Sequence, residues 1–246
     1  MTSEWDAATY DRISDPMARW GEKVLERLPL EGDERVMDAG CGTGRVTALL
    51  AERLPDGTVI AVDRSRGMIE QARANLAGNP RVRFLVADLG QPLQVGDPVD
   101  AVFSHATFHW VLDHDALFAN LAAVMRPGAR LVAQCGAAGN VANVMRAARQ
   151  AGDDWEGAVH FATVDETSRR LSASGFVDVD VWTHEEPTPF EPGEPLETFL
   201  ATVVLRAHLA RMPESERAAF VHDVASRMPE PVIEYVRLNI LARRAA

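Results

Sequence analysis

The chain has 246 residues, of which 47% are apolar, and its 36 acidic and 25 basic side chains give a formal net charge of −11. This length accommodates one full α/β domain with an appendage, or two small domains. The negative charge argues against nucleic acid as the main partner, because binding a phosphate backbone usually requires a basic surface. Two cysteines are too few for a disulfide framework.

The N-terminal residues predict a cytoplasmic location. Residues 1–12 are polar and acidic, whereas a secretion signal begins with basic residues and continues with an apolar run. No apolar run approaches the roughly 18 residues that are needed to cross a bilayer. We therefore expect neither a membrane nor a nucleic-acid partner, and nothing in the sequence indicates an oligomeric state.

The first part of the chain alternates apolar, β-rich runs with helical patterns, which predicts a parallel sheet covered by helices on both faces. The predicted strands are Arg35–Ala39, Thr58–Val62, Val82–Ala87, Val99–Ser104 and Arg130–Cys135. The predicted helices are Pro16–Leu28, Arg45–Leu54, Gly67–Leu76 and His114–Met125. This alternation is typical of a doubly wound α/β core.

The rest of the chain predicts further helices and two more strands. The helices are expected at Asn140–Gly152, Asp165–Ala173, Leu196–Arg211 and Glu214–Arg227, and the strands at Phe176–Trp182 and Val232–Leu241. A passage rich in Pro and Glu, Glu185–Pro195, lies between those two strands. The predicted division is an N-terminal lid segment and helix (1–30), an α/β core (31–190), a helical cap (191–228) and a closing strand (229–246).

A glycine-rich turn directly follows the first predicted strand, in the segment Val36–Gly44. Glycine allows a ligand to approach the backbone closely, and the helix that follows presents free N–H groups at its start. Asp63 ends the second strand, where a carboxylate can accept hydrogen bonds from ribose hydroxyls. Asp88 ends the third strand, where it could accept a hydrogen bond from an adenine amino group. Together these three elements predict a nucleoside site.

Two kinds of ligand are compatible with such a site. A dinucleotide site requires G-x-G-x-x-G, but Arg45 occupies the place of the third glycine. Asp38 stands two residues before the first glycine, where its charge would attract an ammonium group and repel a pyrophosphate. The pattern therefore favours a ligand with an amino group. A NAD-type oxidoreductase remains the first alternative, and a cofactor-binding regulatory protein without turnover is the second.

The motif Asp38–Gly44, with Asp63 and Ala87-Asp88, resembles the motifs of class I S-adenosylmethionine-dependent methyltransferases. The resemblance implies a Rossmann-like, mostly parallel seven-stranded sheet, with the helical cap inserted before the last strand. It also implies S-adenosylmethionine as the cofactor. The implied cofactor contacts are Asp38, Gly40, Cys41, Gly42, Gly44, Asp63, Arg64, Met68, Asp88, Leu89, Ser104 and His105.

The resemblance assigns a part of the cofactor to each motif. Asp38 and the loop Gly40–Gly44 would hold the methionine moiety, and Asp63 would bind the ribose hydroxyls. Asp88 would accept a hydrogen bond from the adenine amino group. Of the other contacts, Arg64 and Met68 would flank the adenine, Leu89 would meet the ring edge, and His105 would pack against the cofactor through its backbone.

A narrower resemblance concerns the segment Phe103–Asp113, the N-terminal Trp5-Asp6 and Tyr10, and the closing strand. These are similar to the small-molecule carboxylate methyltransferases, a group that includes the trans-aconitate, malonyl-carrier-protein and juvenile hormone acid enzymes. The resemblance implies methylation of a small organic acceptor, most simply at a carboxylate or hydroxyl oxygen. Trp110 would wall the acceptor pocket, and Tyr10 and Arg19 would contact the cofactor or the acceptor.

The need for a base depends on the acceptor. A carboxylate with a pKa near ~4 is already ionised at neutral pH, whereas a hydroxyl must lose a proton, for which a histidine is well suited. His109 follows the fourth strand and is the candidate catalytic base, with a wall of the pocket as its alternative role. No metal-ligand spacing such as H-E-x-x-H occurs, so no metal is expected.

Overall fold

The computed structural model describes residues 15–155 and 157–246, with side chains from residue 19 onward. Its central element is one sheet of seven strands in the order β3-β2-β1-β4-β5-β7-β6. The strands are β1 (Arg35–Ala39), β2 (Thr58–Asp63), β3 (Val82–Val86), β4 (Val99–His105), β5 (Met125–Gly136), β6 (Phe176–Pro189) and β7 (Val232–Arg244). Strands β1 to β5 pair in parallel, and β7 runs antiparallel to both β5 and β6.

The helices connect these strands and flank the sheet. They are α1 (Asp15–Leu25), α2 (Arg45–Glu52), α3 (Arg66–Asn75), α4 (His114–Val124), α5 (Ala142–Gln150), α6 (Val164–Ala173), α7 (Glu194–Phe199), α8 (Arg206–Leu209) and α9 (Glu214–Arg227). A short 3-10 helix spans Phe108–Trp110, and a π-helix spans Leu200–Val204. Among the described helices, none is both long enough and apolar enough to span a membrane.

The doubly wound, mostly parallel fold that the sequence predicts is confirmed, and the predicted strands of the core lie within a residue or two of the observed ones except at β5. That strand begins at Met125 rather than Arg130, directly after α4. The core residues pack into two clusters, one of which joins α4 and α6 to the strands and the other α1, α2 and α3.

Two predictions for the C-terminal part were wrong. Strand β6 continues through Glu185 to Pro189, because β7 pairs with it as far as Val232. The helix predicted over Leu196–Arg211 is broken into α7, the π-helix and α8. The run Thr202-Val203-Val204 is β-branched, which lowers the preference for a regular α-helix, and the Leu205 N–H donates to the Leu200 carbonyl across the wider turn.

The segments α7 to α9 pack on α5 and on the start of β7. Their buried side chains form a third cluster that includes Phe199, Leu200 and Val224, together with Val144 of α5 and Ile233 of β7. The helical segment predicted as a cap therefore has an apolar core in common with α5. This arrangement holds the π-helix and α8 beside the sheet.

The packing of aromatic side chains beneath the loop after β4 should contribute to the free energy of unfolding. Phe118 of α4 is fully buried, and its ring meets Phe108 at a centroid distance of 6.0 Å. We expect Phe118→Ala to lower the free energy of unfolding by about 3 to 5 kcal/mol, because it removes buried area and leaves a cavity. The matched control is Leu112→Ala, whose side chain is 60% exposed. Denaturant unfolding that shifts equally in the two variants would contradict this packing.

Candidate active site

A cavity of about 130 Å³ opens at the edge of the sheet where β1 to β4 end. Strand β1 lies between β2 and β4 in the sheet, so the strand order reverses here, and open α/β sheets bind ligands at such a point. The cavity is lined by Asp38, Gly40, Cys41, Gly42, Thr43, Arg45, Val46, Asp63, Arg64, Met68, Ala87, Asp88, Leu89, Phe103, His105, Ala106, Thr107, Trp110 and Val111.

The glycine-rich loop forms the floor of this cavity. Gly40, Gly42 and Gly44 all have positive φ angles, of 90°, 54° and 84°. A side chain at Gly40 would collide with Thr107, which follows β4. The N–H groups of Gly40 and Cys41 donate to the Val62 carbonyl at 2.8 and 2.9 Å. The loop is thus fixed against both neighbouring strands, and its glycines let these segments approach each other.

The carboxylate of Asp63 ties the second strand to this loop. Its Oδ2 accepts a hydrogen bond from the Gly42 N–H at 3.0 Å, and its Oδ1 accepts one from the Ser65 N–H at 2.9 Å. Burial raises the pKa of Asp63. These bonds orient the carboxylate at the cavity wall, where ribose hydroxyls could donate to it.

Asp38 is the most deeply buried acid of the site, with 2% of its surface exposed. Its Oδ2 accepts a hydrogen bond from Thr47 Oγ1 at 2.6 Å. Burial raises the pKa of Asp38 to about 7, the Thr47 bond opposes this shift, and the negative charge of Asp63 adds to it. A cationic group in the cavity would therefore stabilise the ionised form of Asp38.

Most of the predicted cofactor residues are brought together in this cavity, but two lie behind its lining. Gly44 is the N-cap of α2 and packs toward Ala72 of α3 and Leu76, which directly follows α3. Ser104 is buried and donates from Oγ to the Ala39 carbonyl at 2.6 Å, which joins β4 to β1. Both residues support the cavity from outside it.

The predicted acceptor contacts are more dispersed. Arg19 is exposed on α1 and lines neither this cavity nor the second one described next. Tyr10 lies outside the described residues. Trp110, in contrast, lines both cavities. It is therefore the residue at which the two spaces meet.

The second cavity measures about 60 Å³. It is lined by His109, Trp110, Asn140, Val141, Met145, Gly157, Ala158, Val159, Phe161, Val203, Val204, Ala207, His208 and Tyr235. These residues come from the loop after β4, the start of α5 with the two residues before it, the 157–161 segment, the π-helix, α8 and β7. Apart from His109 and Trp110, none of them was predicted as a site residue, because no single motif spans them.

His109 belongs to this second cavity and not to the first. Its Nδ1 accepts a hydrogen bond from the Gly136 N–H at 3.3 Å, so the proton of the neutral ring lies on Nε2. Burial lowers the pKa of His109 to about 3, and the charges of Arg237 and His114 contribute. Both observations favour a neutral hydrogen-bond donor over the base predicted from the sequence.

Two arginines lie near the junction of the cavities. The guanidinium carbon of Arg206, in α8, is 5.8 Å from the centroid of the Trp110 ring. Arg237, in β7, is 3% exposed, donates from Nε to Gln134 Oε1 at 3.2 Å and lies over the ring of Trp20. Its charge also contributes to the lowered pKa values of His105 and His109. These positive charges lie beside the second cavity, among whose described lining residues there is no carboxylate.

Comparisons with known proteins agree with this geometry. A family model described as a methyltransferase domain matches residues 36–128. Trans-aconitate 2-methyltransferase of Methylobacterium radiotolerans is 31% identical over 99% of this chain and all of that protein. The chain belongs to the class I S-adenosylmethionine-dependent methyltransferases. Membership in this family means that the protein is a methyltransferase and not the NAD-type oxidoreductase of the first alternative. S-adenosylmethionine is its cofactor.

A second relative and a solved structure are also similar to this chain. The protein of the same name from Paracidovorax citrulli is 28% identical over 99% of both chains. Among solved structures, Haemonchus contortus phosphoethanolamine N-methyltransferase 2, in complex with phosphomonomethylethanolamine and S-adenosylhomocysteine, has a TM-score of 0.66 and 17% identity. That match covers 98% of this chain and 57% of the other, and it shows the fold.

The first cavity fits this cofactor chemically. It presents the carboxylates of Asp38, Asp63 and Asp88 at the ends of three neighbouring strands, and S-adenosylmethionine carries an ammonium, a ribose and an adenine amino group. A side chain at Gly40 would collide with Thr107, and the loop residues 40–43 line the cavity. We expect Asp38 to face the amino-acid end and Asp63 the ribose.

The raised pKa of Asp38 predicts a pH-dependent affinity. Because this carboxyl is about half protonated near pH 7 and a cationic ligand favours its ionised form, cofactor affinity should rise as the pH increases through about 7 and level off above it. Asp38→Asn should bind about tenfold more weakly, or worse, and lose this rise. Calorimetric titration with S-adenosylhomocysteine between pH 6 and pH 8 measures both effects. An identical pH dependence in the variant would contradict the assignment.

The position of Asp63 predicts a separate loss of affinity. Asp63→Ala should weaken S-adenosylhomocysteine binding by about 10- to 100-fold, because it removes charge-assisted hydrogen bonds to the ligand. The control is Asp97→Ala, whose side chain lies outside the cavity lining. Equal affinities of the two variants would show that Asp63 does not contact the cofactor.

Proposed function

We propose that this methyltransferase transfers the methyl group to a carboxylate oxygen of a small organic acid and so forms a methyl ester. The observation that carries this proposal is the second cavity. It adjoins the cofactor cavity at Trp110, its described lining contains no acid, and Arg206 and Arg237 lie near it. Such surroundings favour an anionic acceptor.

The state of His109 supports a carboxylate over a hydroxyl. A group with a pKa of about 3 is a poor proton acceptor for a hydroxyl, whose own pKa is far higher. A carboxylate with a pKa near ~4 is ionised at neutral pH and needs no base. His109 can then donate from Nε2 to an oxygen of the acid.

The reaction itself makes few chemical demands on the chain. Bound S-adenosylmethionine supplies a methyl group on a sulfonium, and the electron pair of the broken C–S bond stays with sulfur. An anion and a cation meet and both lose their charge, so a water-poor environment favours the step. Met145, Phe161, Val203 and Val204 provide an apolar wall. The main tasks of the protein are alignment and exclusion of water.

The relatives support the same acceptor class. The full-length match from Methylobacterium radiotolerans bears the name trans-aconitate 2-methyltransferase, and trans-aconitate is a small acid with three carboxyl groups.

A panel of acceptors tests the proposal. With S-adenosylmethionine present, we expect methyl transfer to trans-aconitate or to a related small acid, and the product should lose its methyl group in mild alkali, as an ester does. Mass spectrometry before and after alkali treatment distinguishes an ester from an ether or a methylamine. Turnover confined to phenols, alcohols or amines would overturn the proposal.

The role of His109 can be tested by substitution. For an acid acceptor, we expect His109→Ala to raise KM about tenfold or more through loss of one hydrogen bond to a charged group, with little change in kcat. His109→Gln retains a donor and should recover part of the affinity. Steady-state kinetics across pH 6 to 9 provide the measurement. A loss of kcat of about 10² or more that added imidazole restores would indicate a base instead.

A further inference from the structure

The helical segment 191–228 contributes a histidine to the second cavity that no motif indicated. His208, in α8, is 2% exposed and lines the cavity. Its Nδ1 lies 2.8 Å from Oδ2 of Asp153, which follows α5. The two residues are 55 positions apart in sequence, so this pair forms only when α8 packs against the end of α5.

The hydrogen bond fixes the position of one proton on His208. Burial acts to raise the pKa of Asp153, but hydrogen bonds from His208 and from the Trp155 N–H outweigh it and leave the pKa lowered. An ionised carboxylate can only accept, so Nδ1 of His208 is the donor. The second nitrogen, Nε2, then carries either a lone pair or a second proton.

This second nitrogen is available to a ligand. In the part of the chain that the structure describes, no hydrogen bond reaches Nε2 of His208, and the atom is not sealed from the cavity. It points toward the 157–159 stretch, since a Cβ built on Gly157 would lie 3.8 Å from it. That stretch lines the same cavity.

The neighbours of the pair hold it in place. The Trp155 ring meets the His208 ring edge-on at 5.0 Å, and the guanidinium of Arg211 lies 4.2 Å above Trp155. Arg211 also approaches Oδ1 of Asp153 at 3.8 Å. A comparable pair, His222 and Glu197, lies at the surface, where the His222 side chain is 72% exposed. The burial of His208 therefore distinguishes it from an ordinary surface ion pair.

We propose that His208 binds a second anionic group of the acceptor, one that is not methylated, and that Asp153 positions its ring. With Nδ1 donating to Asp153, a proton on Nε2 would donate to the anion, and the carboxylate of Asp153 would balance the charge of the ring. His109 offers a neutral donor in the same cavity. The acceptor class is therefore an acid with at least two carboxylates, an assignment that rests on the proposed function.

The test uses the full chain saturated with S-adenosylhomocysteine, and calorimetry with trans-aconitate and with the monocarboxylate crotonate. His208→Ala and His208→Gln should weaken trans-aconitate binding by about 10- to 100-fold, while crotonate affinity and S-adenosylhomocysteine affinity stay unchanged. The matched control, His222→Ala, removes the exposed histidine of the other pair and should bind both acids as the wild type does. Unchanged cofactor binding shows that the variants are folded.

A comparison of the two acids separates binding from mere support of the fold. Asp153 contacts His208 directly, and Arg211 approaches Asp153. Asp153→Asn keeps an acceptor for Nδ1 but removes the negative charge beside the ring, so it should weaken trans-aconitate binding and leave crotonate binding unchanged. An equal loss of affinity for both acids would assign the pair a purely structural role.

Three results would overturn the inference. Equal affinity of the wild type and His208→Ala for trans-aconitate would remove His208 from the site while leaving the proposed function intact. A loss of kcat on a hydroxyl acceptor, with unchanged binding of acids, would make His208 a base. If the wild type binds S-adenosylhomocysteine but takes up no trans-aconitate and methylates no acid, the proposed function fails and the inference fails with it.

Discussion

The common direction of strands β1 to β4 is the constraint on which the active site depends. Because these strands are parallel, their carboxyl ends meet at one edge of the sheet, and Asp38, Asp63 and Asp88 are brought together although they lie far apart in sequence. Both Asp38 and Asp63 are buried, and their hydrogen bonds do not fully offset the loss of hydration, so the pKa of each carboxyl is raised. The free energy that this burial costs is recovered when a cation enters, so the site is suited to a cationic cofactor before any other contact is considered.

The second cavity depends on a strand that runs in the opposite direction. Strand β7 returns antiparallel between β5 and β6, and this brings Tyr235 and Arg237 beside the loop that follows β4. The π-helix and α8 form another wall of the second cavity. Three acids line the first cavity together with Arg45 and Arg64, whereas no described lining residue of the second cavity is an acid. Trp110 lines both, so a sulfonium and an anion can meet beside it.

Some parts of the site are fixed by residues that are neighbours in sequence, and others by contacts between distant segments. The sequence predicts the first kind and not the second. The glycine-rich turn, Asp63 and Asp88 directly follow strands, so strand prediction alone placed them, and the structure brings them together. Gly44 and Ser104 are adjacent to true lining residues in sequence, yet they face away from the cavity to pack against α3 and β1. Sequence spacing does not report such orientation.

The second cavity was beyond sequence reasoning for a different reason. Its lining comes from six separate segments, and His208 lies in what the sequence presents as an ordinary helix. The position of His208 depends on the packing of α7 to α9 against α5, and the proton position on His109 depends on the backbone N–H of Gly136. Both are tertiary contacts, so no local pattern encodes them.

A crystal structure of the chain with S-adenosylhomocysteine and trans-aconitate bound together tests most directly where the donor and the acceptor bind. We expect the adenosine to lie across the ends of β1, β2 and β3, and the acid to lie in the second cavity, with one carboxylate beside Trp110 and facing the cofactor sulfur. An acid bound elsewhere, or a cofactor sulfur directed away from Trp110, would contradict the claim that these adjoining cavities hold the donor and the acceptor.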